Sequence, residues 1–280
     1  MKPQKITLLI TLLATITLST FCGTTLAITG NSQPDTTRYT CIIVQYSDAE
    51  RTQPISYSTG VLISPNIVLT AGHCVVGGQA VSVCFDQNPT VTVTQTGLSY
   101  STDQPIYNGV GVAYPQYILS LLAGAKPSEA LQTSDVGLII LDQPVTEVTS
   151  YPSLPEGGLA DNLSTGTKLQ VIGYGVQEQI TPRNSDKTWV GTFTLNTATV
   201  KLLSNNFQGS NNYIKCSANQ AQGKGGIAYG DSGGPAIYSN NGENVVLAIN
   251  AYVNNANCAG VTFHTRIDNP QVLNWISGYM

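Results

Sequence analysis

The segment Gly230-Asp231-Ser232-Gly233-Gly234-Pro235 sets a serine between glycines. A serine hydroxyl is a poor nucleophile at neutral pH. To attack a carbonyl it needs a tight backbone that exposes Oγ, N–H groups aimed at the developing oxyanion, and a base within reach. Glycine tolerates the dihedrals of such a turn, so the N–H groups of Gly230 and Ser232 can point into one concavity. The chain has two histidines, His73 and His264. His73 stands in Leu69-Thr70-Ala71-Gly72-His73-Cys74, at the end of an apolar run. A base of this kind is oriented by a buried carboxylate, and Asp135 fits best. It opens the continuous apolar run Val136-Gly137-Leu138-Ile139-Ile140-Leu141, where an unpaired charge is costly. The competing acids Asp86, Asp103, Asp142 and Asp161 lie in turn-like settings beside Asn, Gln, Pro or Gly. The chemistry available to Ser232, His73 and Asp135 together is acyl transfer through a covalent intermediate.

The hexapeptide around Ser232 resembles the signature of the chymotrypsin-like (trypsin-like) serine proteases, and residues 69–74 resemble the family's second signature. The order His73, Asp135, Ser232 is that of the family, distinct from subtilisins and α/β-hydrolases. The resemblance covers essentially all of residues 28–280. It implies an all-β fold of two six-stranded antiparallel Greek-key barrels, residues 28–150 and 151–280, with a short C-terminal helix packed on the second. The site then lies in the cleft between them. It also implies a secreted endopeptidase that acts as a monomer on polypeptides, with a protein inhibitor as a possible further partner. The other reading is a catalytically inactive homologue that keeps the fold as a binding module, because fold alone does not establish function.

The elements needed to position these residues are legible as short strands. Residues 39–45, 60–63, 67–70, 80–85 and 90–96 are rich in β-branched residues or alternate apolar with polar, and Ser64-Pro65-Asn66 makes a turn. Residues 168–176, 191–203, 235–239 and 244–253 continue the pattern in the second half. Residues 117–122 read as one or two helical turns inside an insertion between His73 and Asp135, and 272–276 as a terminal helix after Asn269-Pro270. Between the halves, residues 142–167 form a Pro-containing loop stretch, and residues 177–188 a long polar loop.

Charged residues make up only 10% of the chain and the net charge is −4, with no Lys/Arg run, which argues against a nucleic-acid partner. Lys2 and Lys5 precede an apolar run to Phe21, and Thr25-Leu26-Ala27 offers small residues for a cut. Residues 1–27 therefore read as a secretory signal peptide, too short for a membrane span, and no membrane association is expected after cleavage. Cleavage would remove both lysines and leave Cys41, Cys74, Cys84, Cys216 and Cys258, an odd number. Cys216–Cys258 is the expected disulfide of the second half, as the only pair there, and Cys41–Cys84 that of the first, leaving Cys74 free. None of the spacings resembles a zinc site, and neither metal nor cofactor is expected.

The resemblance also bears on selectivity and activation. The position six residues before Ser232, an Asp in members that select Arg or Lys, is Gly226. Ala251-Tyr252-Val253 replaces the usual Ser-Trp-Gly pocket strand, so Val253 would narrow the slot. A further wall position is Gly260 or Thr262, depending on where a gap is placed. These residues imply cleavage after small aliphatic side chains. His264 is expected on a strand in a structural role, the alternative being polarity for an acidic side chain. Finally, Ile28-Thr29-Gly30-Asn31 follows the signal cut directly. Family members mature when a new N-terminus pairs with the Asp before the nucleophile, which implies an Ile28–Asp231 activation pair.

Overall fold

The computed structural model describes residues 28–94, 97–125, 133–180, 188–206, 211–218 and 225–280. The proposed signal peptide lies outside these residues. After the short strand β1 (Gln33–Pro34), the first half of the chain supplies β2 (Thr40–Tyr46), β3 (Pro54–Ser64), β4 (Ile67–Thr70) and β5 (Ala80–Cys84). The hairpin β6–β7 (Thr90–Thr94, Gly97–Ser101) follows, then β8 (Ile106–Ala113), helix α1 (Pro115–Leu122) and β9 (Gly137–Leu141). Strands β2-β3-β4-β9-β8-β5 close into a six-stranded barrel with antiparallel pairings throughout. The second half supplies β10 (Lys168–Gly173), the hairpin β11–β12 (Glu178–Ile180, Thr188–Val190), β13 (Asn196–Ser204) and β14 (Tyr213–Ala218). It ends with β15 (Pro235–Asn240), β16 (Glu243–Val253), β17 (Gly260–Arg266) and helix α2 (Pro270–Ser277). Here the order is β13-β10-β15-β16-β17-β14, closed by β13–β14, with β1 added at β13. Closure removes the exposed sheet edges that an open sheet would present.

The runs that read as strands are those whose side chains fill the barrels. Every residue of β2 is buried, as is every residue of β4. Tyr174 ties the halves together, its hydroxyl donating to the Asp86 carbonyl of the first half at 2.8 Å. Helix α1 begins at Pro115, two residues before the expected start, with proline at a first-turn position where its missing N–H costs nothing. It stops at Gly124, which takes the left-handed conformation (φ 84°).

Two expectations need correction. Helix α2 is not confined to the second barrel: Trp275 meets Tyr114 of the first half edge-on at 5.3 Å, while Val272 and Ile276 enter a core shared by both halves. Its amphipathic pattern specifies one apolar face and is silent on which barrel receives it. The disulfides are absent as well, for the five cysteines of the described residues are all buried and unbridged. On the β2–β5 ladder Ile42, not Cys41, faces Cys84, so the two cysteines are one residue out of register and point to opposite faces. Cys216 and Cys258 belong to different apolar clusters.

Candidate active site

The pairing of β4 with β9 places the first two candidate residues. Thr70 faces Gly137 across this ladder, which brings the turn after β4 against the residues before β9. His73 lies on that turn, a single 3₁₀ turn over Gly72–Cys74, and Asp135 lies two residues before β9. Asp135 is fully buried and holds His73 at two points. One carboxylate oxygen accepts the His73 backbone N–H at 2.8 Å, and the other lies 2.6 Å from the ring Nδ1. Gly72 permits this approach, since a Cβ there would stand 3.0 Å from Asp135 Oδ1 and 2.9 Å from the Tyr117 ring. Tyr117 comes from α1, so the insertion roofs the carboxylate. Burial of the ring works against its charged form, but the neighbouring Cys74 sulfur and the Asp135 carboxylate outweigh it. Together they hold the His73 pKa well above the usual imidazole value.

Ser232 approaches from the second barrel. Its carbonyl accepts the Thr59 N–H of β3 at 2.9 Å, and the Thr59 hydroxyl donates to the Gly230 carbonyl at 2.9 Å. Gly233 fits so closely under the first barrel that a Cβ would lie 2.0 Å from Thr70 Oγ1 and 3.1 Å from the Ala71 N. The serine therefore stands across from the turn that carries His73. Gly230 and Gly233 have φ of 96° and 82°, the left-handed turn conformation that the two glycines make possible. The N–H groups of Gly230 and Ser232 donate to no other group among the described residues.

Asp231, next to the serine, is fully buried. Its two carboxylate oxygens accept the N–H groups of Gly175 and Ala228, each at 2.8 Å. Burial pushes its carboxyl up to about 7, against the lowering effect of those two hydrogen bonds. Ile28 is buried in the apolar cluster that also holds Ile227, and Thr29 exchanges backbone hydrogen bonds of 3.0 Å with Gly226. The β-branched Ile28 sits at φ 65°, a conformation rarely adopted by such residues. In the uncut chain its nitrogen is a peptide N–H, so Asp231 meets no ammonium.

A cavity of about 370 Å³ opens beside Ser232, walled by Ile227, Ala228, Tyr229, Ala251, Tyr252 and Val253 and rimmed by residues 254–256. Val253 stands on its wall. Gly226 and Thr262 do not line it; both are buried, with Thr262 Cγ2 3.7 Å from where a Gly226 Cβ would be. Gly260 is exposed. No charged side chain lines the cavity. His264 lies on β17, fully buried and away from this wall. Thr59 was not legible as a site residue, since a lone threonine inside a strand carries no signal of the loop it will clamp. A sequence-family model described as Trypsin matches residues 28–276, nearly the whole of the described fold. The chain belongs to the trypsin family of serine protease folds.

Proposed function

We propose that this chain is a secreted serine endopeptidase that hydrolyses peptide bonds through an acyl-enzyme on Ser232. The observation that carries the reading is the two-point grip of Asp135 on His73, on a turn whose leading residues pack against the loop that holds Ser232 at the edge of a cavity. In this mechanism His73 takes the Ser232 proton as Oγ attacks the carbonyl, and Asp135 fixes the ring tautomer and stabilises the imidazolium. The N–H groups of Gly230 and Ser232 receive the oxyanion. His73 then returns the proton to the leaving amine, and a water molecule repeats the sequence to release the acid product.

The uncharged cavity favours an apolar side chain, and Val253 narrows it in favour of small aliphatic residues such as Ala or Val. Profiling with a peptide library tests this: preferred turnover after Phe or Arg would refute the assignment, and Val253→Gly should broaden the preference. We further propose that removal of residues 1–27, read as a signal peptide, frees the Ile28 amine to pair with Asp231. The bridge between Thr29 and Gly226 supports this, because it holds the start of the segment next to the nucleophile loop. Among the described residues no helix is long and apolar enough to cross a membrane.

The deciding experiment is reaction of the processed protein with a fluorophosphonate probe, which modifies only an activated serine. Labelling mapped to Ser232 and lost in Ser232→Ala supports the endopeptidase. A folded, processed protein that is never labelled is the binding module instead.

A further inference from the structure

Behind the nucleophile loop lie three polar side chains with no part in the proton transfers above. Thr262 and His264 on β17 and Asn250 on β16 are each fully buried. They form one hydrogen-bonded chain with a single consistent direction. Asn250 Nδ2 donates to the carbonyls of Ile172 and Asp231, each at 3.2 Å, so its Oδ1 is left to accept. His264 Nδ1 lies 2.9 Å from that oxygen and must carry the ring proton. Nε2 is thereby an acceptor for the Thr262 hydroxyl at 2.8 Å. Burial pushes His264 down to about 3, so the ring is neutral at ordinary pH and each nitrogen has a use.

The Asn250 backbone completes the hold. Its carbonyl accepts the Gly233 N–H and its N–H donates to the Gly234 carbonyl, both at 2.8 Å. Asn250 thus grips the residue before Ser232 and the two residues after it. A barrel interior is easily filled with apolar side chains, and a buried polar chain is tolerated only when every member is satisfied. This one is satisfied; its Asn250 end reaches the carbonyl before the serine, and the backbone of the same residue holds the two residues after it.

We propose that Asn250, oriented by His264 and Thr262, is a positioning residue that sets the direction of the Ser232 hydroxyl and N–H. The proposal rests on the reading of Ser232 as the nucleophile. His264 then acts at second hand, by presenting a proton to Asn250 Oδ1 so that the amide nitrogen must face the Asp231 carbonyl. Without it the amide can flip, and the loop loses the contact that precedes the serine.

The test compares His264→Phe, which keeps a flat ring but removes both nitrogens, with His264→Asn, whose amide nitrogen can replace the Nδ1 donor. Active sites are counted with a fluorophosphonate in the processed protein, and kcat is expressed per counted site. The expected result is a fall in kcat of about 10- to 100-fold for His264→Phe with KM within about twofold, and recovery of most of that loss in His264→Asn. A merely structural histidine would lower the melting temperature or the number of sites and leave kcat per site unchanged. A kcat per site within about twofold of the parent for His264→Phe overturns the proposal, as does a His264→Asn variant no better than His264→Phe. Should His264→Phe not fold, nitrogen-15 spectra of the parent decide. A non-titrating ring protonated on Nδ1 supports the chain, and a ring protonated on Nε2, or titrating near 6.5, overturns it. Failure of the parent to label at Ser232 would sink the endopeptidase reading instead, and the spectra tell the two failures apart.

Discussion

The two hydrogen bonds from Asp135 to His73 do different work. The bond to the backbone N–H fixes the turn, and the bond to Nδ1 fixes the tautomer. Asp135→Asn can keep the first and must spoil the second, because an amide NH₂ facing Nδ1 turns that nitrogen into an acceptor. We expect kcat to fall by roughly 10³- to 10⁴-fold with little change in KM, measured on a peptide ester and a peptide amide. In the proposed mechanism His73 works as a base only when neutral, and its pKa is raised in the folded protein. Activity should therefore climb with pH through a midpoint above the ordinary 6.5, and Asp135→Asn should move that midpoint down. The same shift gives the protonated ring a stabilising contribution that is complete below the unfolded value and is lost as pH rises through the folded one. These residues were legible because their chemistry demands particular neighbours. Thr59 and Asn250, which clamp the serine loop through ordinary hydrogen bonds, were not.

At the scale of elements, the sequence marked strands where burial enforces a run or an alternation and missed them where it does not. Strand β8 alternates poorly, with Ile106 and Val110 exposed and Gly109 buried, so neither period emerges from its residues. Strand β17 buries Thr262, His264 and Arg266, whose polar groups are satisfied partly by each other and partly by Asn250, Asp161 and Asp268. Arg266, for instance, forks onto both oxygens of Asp268 at 2.8 Å and reaches Asp161. No local pattern announces Asp161, 105 residues away. The helices were better marked, by proline at the start and an apolar face. The Asn269 side chain caps α2 by accepting the Gln271 N–H at 2.9 Å. Asn269→Ala should cost about 1 kcal/mol, read as a lowered midpoint in chemical denaturation. Because α2 carries Trp275 onto Tyr114, near the segment that leads to Asp135, the loss should exceed that of a cap on an isolated helix.

For the whole molecule, the proposed cut before Ile28 should change how stability depends on pH through Asp231. In the uncut chain Asp231 has no cation beside it and its carboxyl is pushed up to about 7. Below about pH 4 it is protonated in both folded and unfolded chains. Between there and about 7 only the unfolded chain ionises, so the uncut protein should lose stability as pH rises, by on the order of 4 kcal/mol, and then level off. In the processed chain the freed Ile28 amine should supply the missing charge. That pair should raise the amine above its unfolded value of roughly 8, so its contribution is complete below 8 and is lost as pH rises through the folded value. Melting curves of the two forms at about pH 5 and pH 8 provide the check. Parallel behaviour of the two would mean that the amine does not reach Asp231. A form with one alanine added before Ile28 should behave like the uncut chain and lose most activity while staying folded.

The five buried, unbridged thiols carry a practical consequence. Among the described residues no disulfide links the strands, so the closed barrels hold by packing and hydrogen bonding. Burial keeps the Cys41 thiol well above its usual range and pushes Cys216 and Cys258 to about 12, so these three offer almost no thiolate to oxidants or alkylating agents. The folded protein should melt at the same temperature with and without millimolar dithiothreitol, and should be obtainable from a reducing cytoplasm. Once unfolded, the same thiols become free to pair at random, so recovery after heating should be better with reductant present than without.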